Sequence, residues 1–576
     1  MMIGSLILAG LFMYRLAYWF TESKAASILA GMAYIASPYY VVVVSRLGNL
    51  CETLALALIP AVVYYSIQRF YHPDDNKNLA LCALLWYLLI TVHLVSFIYT
   101  SLFVGLLLLF FALQNKSLWR NLINVGIAYC FSLMLAAWFL APVAAEQHYF
   151  MLSETYFTGA TLHYFHPILS HLLSPAALTS PHFASALYRL HPDIGWPILL
   201  AAGICIYGFF NQMKTGNSKA DRLLPLFIVL FALAFFMAWS PIDFWQWLPA
   251  PLLIAQYSWR LLSQVTWIGS LLFAWAVLML YQQRMDLKLV VMGTFLIFIA
   301  SSSWQPEIKY TSIKLDEFIK QPKLVYNENA YAINFSKNTQ FVTDIDSMLI
   351  EPNQQIKWNA PYLIYKEFFA VGNSPHIEVT ANIDKESTNQ ELVATVNGTT
   401  IATKKLTPGK LAWNFTLPST FITMKNKQVQ LLQFDLRNTI NQHSEALTSK
   451  TLKLDQILLT GFLNPTEILN VKQVEPTCQH IRSSTICKID VPKNISLIEL
   501  PALYYPNLIH ITINGKTVSP HGVMYKGYLL TGVNPIPGIT NTIKVEFRGI
   551  AWANWVSLMA WGIWILTFAV GLRSRR

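Results

Sequence analysis

Stretches of about 20 mostly apolar residues recur along this chain, each long enough for a helix to cross the hydrocarbon core of a bilayer. About eleven candidates fall near 1–20, 25–44, 53–69, 79–95, 97–113, 122–144, 195–212, 223–240, 263–282, 286–303 and 552–572. So many apolar stretches cannot be covered by one aqueous core, so the chain is expected to fold in lipid. The composition agrees: 54% of the residues are hydrophobic and 12% charged, where soluble domains carry about 25% charge. The mean hydropathy is +0.42. The net charge of +11 is spread between the apolar stretches, with no basic face or arm, which argues against nucleic acid as a partner.

Charge placement orients the spans. Lys24, Arg69 with Lys77, Lys116 with Arg120, Lys214 with Lys219 and Arg222, Arg284 with Lys288, and Arg573, Arg575 and Arg576 fall on one side, which the positive-inside rule makes cytoplasmic. The stretch from Leu79 to Leu113 has basic residues at both ends, so it reads as a hairpin turning near His93–Ser96. The loops near 45–52, 145–194 and 241–262, and everything between Trp304 and Trp552, then lie on the outer side. The N-terminus also falls outside, with no basic segment or cleavage site after Met1. This topology predicts at least one further helix and outer loop upstream of Met1.

Between Trp304 and Gly549 the composition turns polar and the apolar runs shorten to strand length. HIEVTANI, KLAWNFTL and VQLLQFDL alternate with period two. Asn397-Gly398 and Asn514-Gly515 sit where type I′ hairpins need residues tolerant of positive φ. The fold expected is therefore α+β: a polytopic α-helical transmembrane bundle over 1–303, a mixed connector at 304–364, a β-sandwich or jelly roll at 365–462, a second β unit at 463–549, and a last helix with a basic cytoplasmic tail at 550–576. Cys478 and Cys487 flank a short polar loop without metal-ligand spacing, and a disulfide between them is the preferred reading. The other four cysteines lie in or beside apolar spans and read as small buried residues.

No nucleotide-binding loop, zinc-protease helix or serine elbow occurs in a fitting context. The candidates for chemistry are polar residues at the outer mouths of spans. Arg46, Asn49 and Glu52 form one group: either Arg46 and Glu52 pair at the interface, or Arg46 binds a phosphate while Glu52 acts as a base or holds a divalent cation. Gln256, Trp259 and Arg260 form another, with Arg260 either snorkelling beside an aromatic belt or binding a lipid phosphate. His93, at the hairpin tip, reads first as a neutral hydrogen-bonded interfacial side chain and otherwise as a lipid-phosphate-binding residue. The histidines of the 145–194 loop show no ligand spacing with a third partner, and no metal centre is expected from them.

The ordered segments FMYRLAYWF, AASILAGMAYIASPYYVVVVSRLGNLCETLALALIPAVVYY, LLITVHL, WFLAPVAAE, IAQYSWRLLS and ALYYPNLIHITINGKTV resemble bacterial membrane proteins labelled "6-pyruvoyl-tetrahydropterin synthase-related domain". These in turn are similar to the YfhO-like and C-type (GT-C) glycosyltransferases. The resemblance covers nearly the whole chain and implies a bacterial inner-membrane enzyme. Such an enzyme takes a sugar from a polyprenyl-phosphate donor and modifies a cell-envelope glycan at the outer face. It carries the R-x-x-N-x-x-E segment onto Arg46, Asn49 and Glu52, and the Q-x-x-W-R segment onto Gln256, Trp259 and Arg260. The superfamily's catalytic carboxylate lies in a first outer loop that would precede Met1. A non-catalytic membrane-anchored protein that binds a glycan or an assembly partner is therefore the alternative. A transporter is the weakest reading, because the charges cluster at the mouths rather than at the midplane.

Overall fold

The computed structural model describes residues 2–45, 47–114, 119–146, 169–173, 193–249, 252–253, 257–282, 356–359, 364–370, 376–383, 390–396, 399–418, 430–438, 451–460, 462–463, 477–481, 484–493, 498–525 and 528–573. The chain divides into a helical unit, Met1–Leu140 with Thr161–Tyr310 and Trp552–Arg576, and a second unit, Ala141–Ala160 with Thr311–Ala551.

The helical unit is built from α1 (Met2–Thr21), α2 (Lys24–Ile35), α3 (Pro38–Ser45), α4 (Leu50–Tyr71), α5 (Asn76–Val92), α6 (Leu94–Gln114), α7 (Trp119–Leu135) and α8 (Ala137–Glu146). It continues with the single turn α9 (Leu169–Leu173), α10 (Trp196–Phe210), α11 (Ser218–Trp239), α12 (Leu262–Gln282) and α13 (Ala551–Arg573). Among the described residues, six helices are long and apolar enough to cross a membrane, or eight if each of two bent pairs is one span. The protein is thus a multi-pass membrane protein whose apolar helices contact lipid. The bent pairs are α2 with α3, at 45°, and α7 with α8, at 69°. The expected spans near 79–95 and 195–212 are the shorter helices α5 and α10, and the one near 286–303 lies outside the described residues.

Asn49, Asp75 and Asn217 cap α4, α5 and α11, their side-chain oxygens accepting backbone N–H groups of the first turn. The chain turns between α5 and α6 at His93. The Trp86 and Phe97 ring centroids lie 5.8 Å apart, whereas eleven residues of straight helix would separate them by about 16 Å. Helices α1 and α2 pack closely because a Cβ on Gly31 would stand 2.9 Å from the Gly10 carbonyl oxygen.

Helix α12 is the centre of the bundle: 94% of its spanning window is buried, against 17% for α13. Gln264 ties two of the buried polar groups at its start together. Gln264 Nε2 donates to Thr100 Oγ1 at 3.1 Å, and Trp267 Nε1 donates to Gln264 Oε1 at 2.8 Å. Helix α13 is fixed at three points. Ser557 Oγ donates to the Met134 carbonyl at 3.1 Å and accepts the Trp138 N–H at 2.9 Å, and Trp564 Nε1 donates to the Ala80 carbonyl at 2.8 Å.

The second unit holds seventeen described strands in four antiparallel sheets. β1 (Ile356–Asn359), β8 (Thr451–Thr460), β3 (His376–Ile383) and β6 (Gly409–Thr416) form one; β5 (Thr399–Lys405), β4 (Gln390–Val396), β7 (Gln430–Asn438), β2 (Ile364–Ala370) and β9 (Phe462–Leu463) form the next. These two sheets share one core, Ile377, Val379, Leu411 and Trp413 meeting Leu392, Leu432 and Phe434, as alternation along each strand requires. The last strands, β10 (Thr477–Ile481), β11 (Ser484–Asp490), β12 (Ile498–Leu503), β13 (Ile509–Ile513), β14 (Lys516–Val518), β15 (His521–Tyr525), β16 (Tyr528–Val533) and β17 (Thr540–Phe547), form two further sheets around a separate core.

β1 pairs with β8, so the β-structure reaches back into the 304–364 connector. Residues 141–146 group with the strands rather than with the bundle; Glu146, 1% exposed, accepts the Asn507 N–H at 3.0 Å. Asn514 and Gly515 have φ of 50° and 81° and join β13 to β14, as a type I′ turn requires. Asn397-Gly398 lies outside the described residues.

Candidate functional site

The described candidates converge at one end of the helical unit, the end at which α4 begins. Glu52 lies in the first turn of α4 and is 1% exposed. Asn49 Oδ1 accepts the Glu52 N–H at 3.1 Å, while Asn49 Nδ2 donates to Glu52 Oε2 at 3.1 Å. This reciprocal capping buries a carboxylate where the helix N-terminus favours negative charge. The other carboxylate oxygen, Oε1, accepts a hydrogen bond from the hydroxyl of Tyr39, a fully buried side chain on α3.

The bend between α2 and α3 aims Tyr39 at this point. At the bend, Pro38 packs against Gly195, the residue before α10. Gly195 has φ +89°, and a Cβ there would stand 2.6 Å from Pro38 Cδ. Only glycine meets both demands without displacement. Tyr39 also meets Trp259 edge-on, with ring centroids 6.2 Å apart.

Trp259 and Arg260 occupy a 3₁₀ turn, Ser258–Leu261, that leads into α12. The Arg260 guanidinium carbon sits 5.6 Å from the Tyr257 ring centroid and 6.0 Å from that of Trp259, within cation–π range of both. Glu52 and Arg260 both lie within electrostatic range of Tyr39 and of His93. Arg260 also acts on Tyr99, whose hydroxyl donates to the Leu252 carbonyl. Burial raises the pKa of Tyr257, and Arg260 opposes that shift.

His93 closes α5 and opens α6. The Ser96 N–H, in the first turn of α6, donates to His93 Nδ1 at 3.3 Å, and Ser96 Oγ lies 2.7 Å from the same nitrogen. A backbone N–H can only donate, so Nδ1 accepts and the ring proton sits on Nε2. His93 is thus an imidazole N-cap. Its pKa is lowered, chiefly by burial; Glu52 opposes the shift and Arg260 adds to it.

The structure therefore brings together Asn49, Glu52, His93, Trp259 and Arg260 from three segments distant in sequence. Arg46 and Gln256 lie outside the described residues, as do most of the 145–194 loop and its histidines. Among the described residues no group of three or more His, Cys, Asp or Glu side chains is arranged to hold a metal ion. The sequence reading missed Tyr39 and Tyr99, which are fully buried phenols. In the second unit Cys487 is disulfide-bonded and stands opposite Cys478 in the β10–β11 register, while Cys51, Cys82, Cys130 and Cys205 are free.

No protein-family model matches the chain, and no curated protein matches it significantly. Among the described residues the mouth offers a guanidinium against aromatic faces, a buried carboxylate and an imidazole, a set suited to an anionic group carried on an apolar stem.

Proposed function

We propose that the chain is a membrane glycosyltransferase of the polyprenyl-phosphate-dependent kind, and that this mouth receives the phosphate of a lipid-linked sugar. The observation that carries the reading is the convergence of Arg260, Glu52 and His93 at one end of a bundle whose outer surface is apolar. A polyprenyl chain lies in lipid and presents its phosphate at such a mouth. Arg260 supplies a charge-assisted donor to that phosphate. Glu52 assists as a secondary base or by holding a divalent cation. Arg46, Asn49, Gln256, Trp259 and His93 complete the donor-binding set. The positive-inside rule favours the mouth on the outer face of a bacterial inner membrane, with residues 304–550 extracytoplasmic and folded as β-sandwiches. The acceptor is then a cell-envelope glycan.

The test is sugar transfer by the full chain in micelles containing a polyprenyl-phosphate sugar, together with the envelope glycan profile of cells. Arg260→Gln is expected to abolish transfer and alter the profile. An unchanged profile in Arg260→Gln and Glu52→Gln cells would sink the reading.

One observation favours a second reading, a non-catalytic membrane-anchored protein that binds a glycan or an assembly partner. Both Glu52 oxygens already accept side-chain hydrogen bonds, from Tyr39 and Asn49. A base needs a lone pair aimed at its substrate. On this reading Glu52→Gln leaves function unchanged, and deletion of 356–547 removes it.

A further inference from the structure

The opposite end of α4, about 33 Å away, holds a second polar feature. A cavity of about 530 Å³ opens between α1, α4 and the start of α5. Its volume falls in the range of small-ligand sites. Its walls carry Arg15 from α1, Tyr64 and Gln68 from α4, Asp74 and Asp75 from the turn, and Lys77 from α5.

Arg15 is the single charged residue of α1 and lies six residues before its end, about 9 Å along the axis. Its side chain is exposed on a helix long enough to span the membrane, where a cation needs a partner or a route to the interface. Its guanidinium carbon stands 5.6 Å from the Tyr64 ring centroid. Among the described residues Arg15 makes no ion pair, and neither does exposed Asp74. The lining therefore carries both signs: Arg15 and Lys77 with two carboxylates, Asp74 and Asp75, and His72 beside them, while Arg69 lies within electrostatic range of both carboxylates. A purely anionic ligand would meet the carboxylates, and a purely cationic one would meet the guanidinium.

We propose that this cavity binds the zwitterionic headgroup of a membrane phospholipid, its phosphate on Arg15 and its ammonium on Asp74. The acyl chains then lie along the exposed apolar face of α1, where Ile7 and Leu11 precede Arg15. The assignment is independent of what the other mouth does.

The test counts lipids bound to the full chain in detergent by native mass spectrometry. The chain is titrated separately with phosphatidylethanolamine, phosphatidylglycerol and soluble glycerophosphoethanolamine. One phosphatidylethanolamine per chain is expected, in preference to phosphatidylglycerol. Arg15→Gln and Asp74→Asn should each need ~10-fold more lipid for equal occupancy, the scale of one charge-assisted hydrogen bond. Both side chains are exposed, so neither change disturbs the core. Equal binding of phosphatidylglycerol, or both variants binding like the parent chain, overturns the proposal. Soluble glycerophosphoethanolamine binding as tightly as the lipid overturns its assignment to a membrane lipid.

Discussion

Asn49 and Glu52 hold each other in both directions, the amide oxygen of Asn49 taking the Glu52 N–H at 3.1 Å and its amide nitrogen giving to the carboxylate at 3.1 Å. Removing Asn49 therefore costs more than a helix cap. Asn49→Ala is expected to lower stability by about 1.5–5 kcal/mol, the sum of a lost cap and a buried carboxylate short of a donor. Asn49→Ser retains the cap and should recover part of the loss. Thermal unfolding in detergent of the two variants beside the parent chain checks this ordering.

Gly195 acts on the same site from a distance. A methyl group there must push Pro38 away and hold φ at +89°. Gly195→Ala is expected to cost about 1–3 kcal/mol and to draw Tyr39 off Glu52. Tyr39→Phe deletes the same hydrogen bond without moving the backbone. If the two variants lose whatever activity the mouth has to the same degree, Gly195 acts through Tyr39; an unaffected Gly195→Ala would refute the connection.

Acid should loosen the α5–α6 turn. The native pKa of His93 lies below its ordinary 6.5, so in the window between the two values the unfolded chain binds more protons than the folded one. Its contribution is fully present above 6.5 and falls as pH drops through that window. Protonating Nδ1 also breaks the Ser96 cap. Stability measured from pH 7.5 down to 5 should fall, and His93→Asn, a cap that does not titrate, should flatten the slope.

Cys487 is 1% exposed and belongs to the core of the last strands. Cys487→Ser is expected to destabilise that region by about 2–3 kcal/mol, the scale of closing a short loop. Hydrogen exchange should rise in β11 and β17 and stay unchanged in β3 and β6. A uniform rise across both cores would show that they unfold as one.

Six of the described apolar helices, or eight spans counting the bent pairs, were legible because a bilayer demands length and hydropathy, and both are written in consecutive residues. The turn at His93 was legible for a related reason, since Arg69 and Lys77 precede the apolar stretch and Lys116 and Arg120 follow it. The candidate site was half legible. Glu52, His93, Trp259 and Arg260 stood out as polar or aromatic residues at span ends, yet their convergence depends on packing between helices. Tyr39 was hidden in PYYVVVVS, which reads as plain apolar wall until the 45° bend aims its hydroxyl at Glu52. The capping role of Asn49 could have been found, because N-L-C-E carries the spacing of a capping box. The link between Glu146 and Asn507 carried no such signal, as the partners are 361 residues apart.

The docking of α13 on α5 and α7 has a consequence for how the molecule is made. Trp564 closes on Ala80, 484 residues earlier in the chain. At about 5–20 residues per second of synthesis, that carbonyl waits roughly 25–100 s for its partner. The flank of α5 and α7 must spend that interval facing lipid, a chaperone or a neighbouring chain, while every strand of the β-region is produced. Helix α13 reaches its place only after the strands have been made, so a ribosome stalled anywhere in the strands leaves an open helical seam.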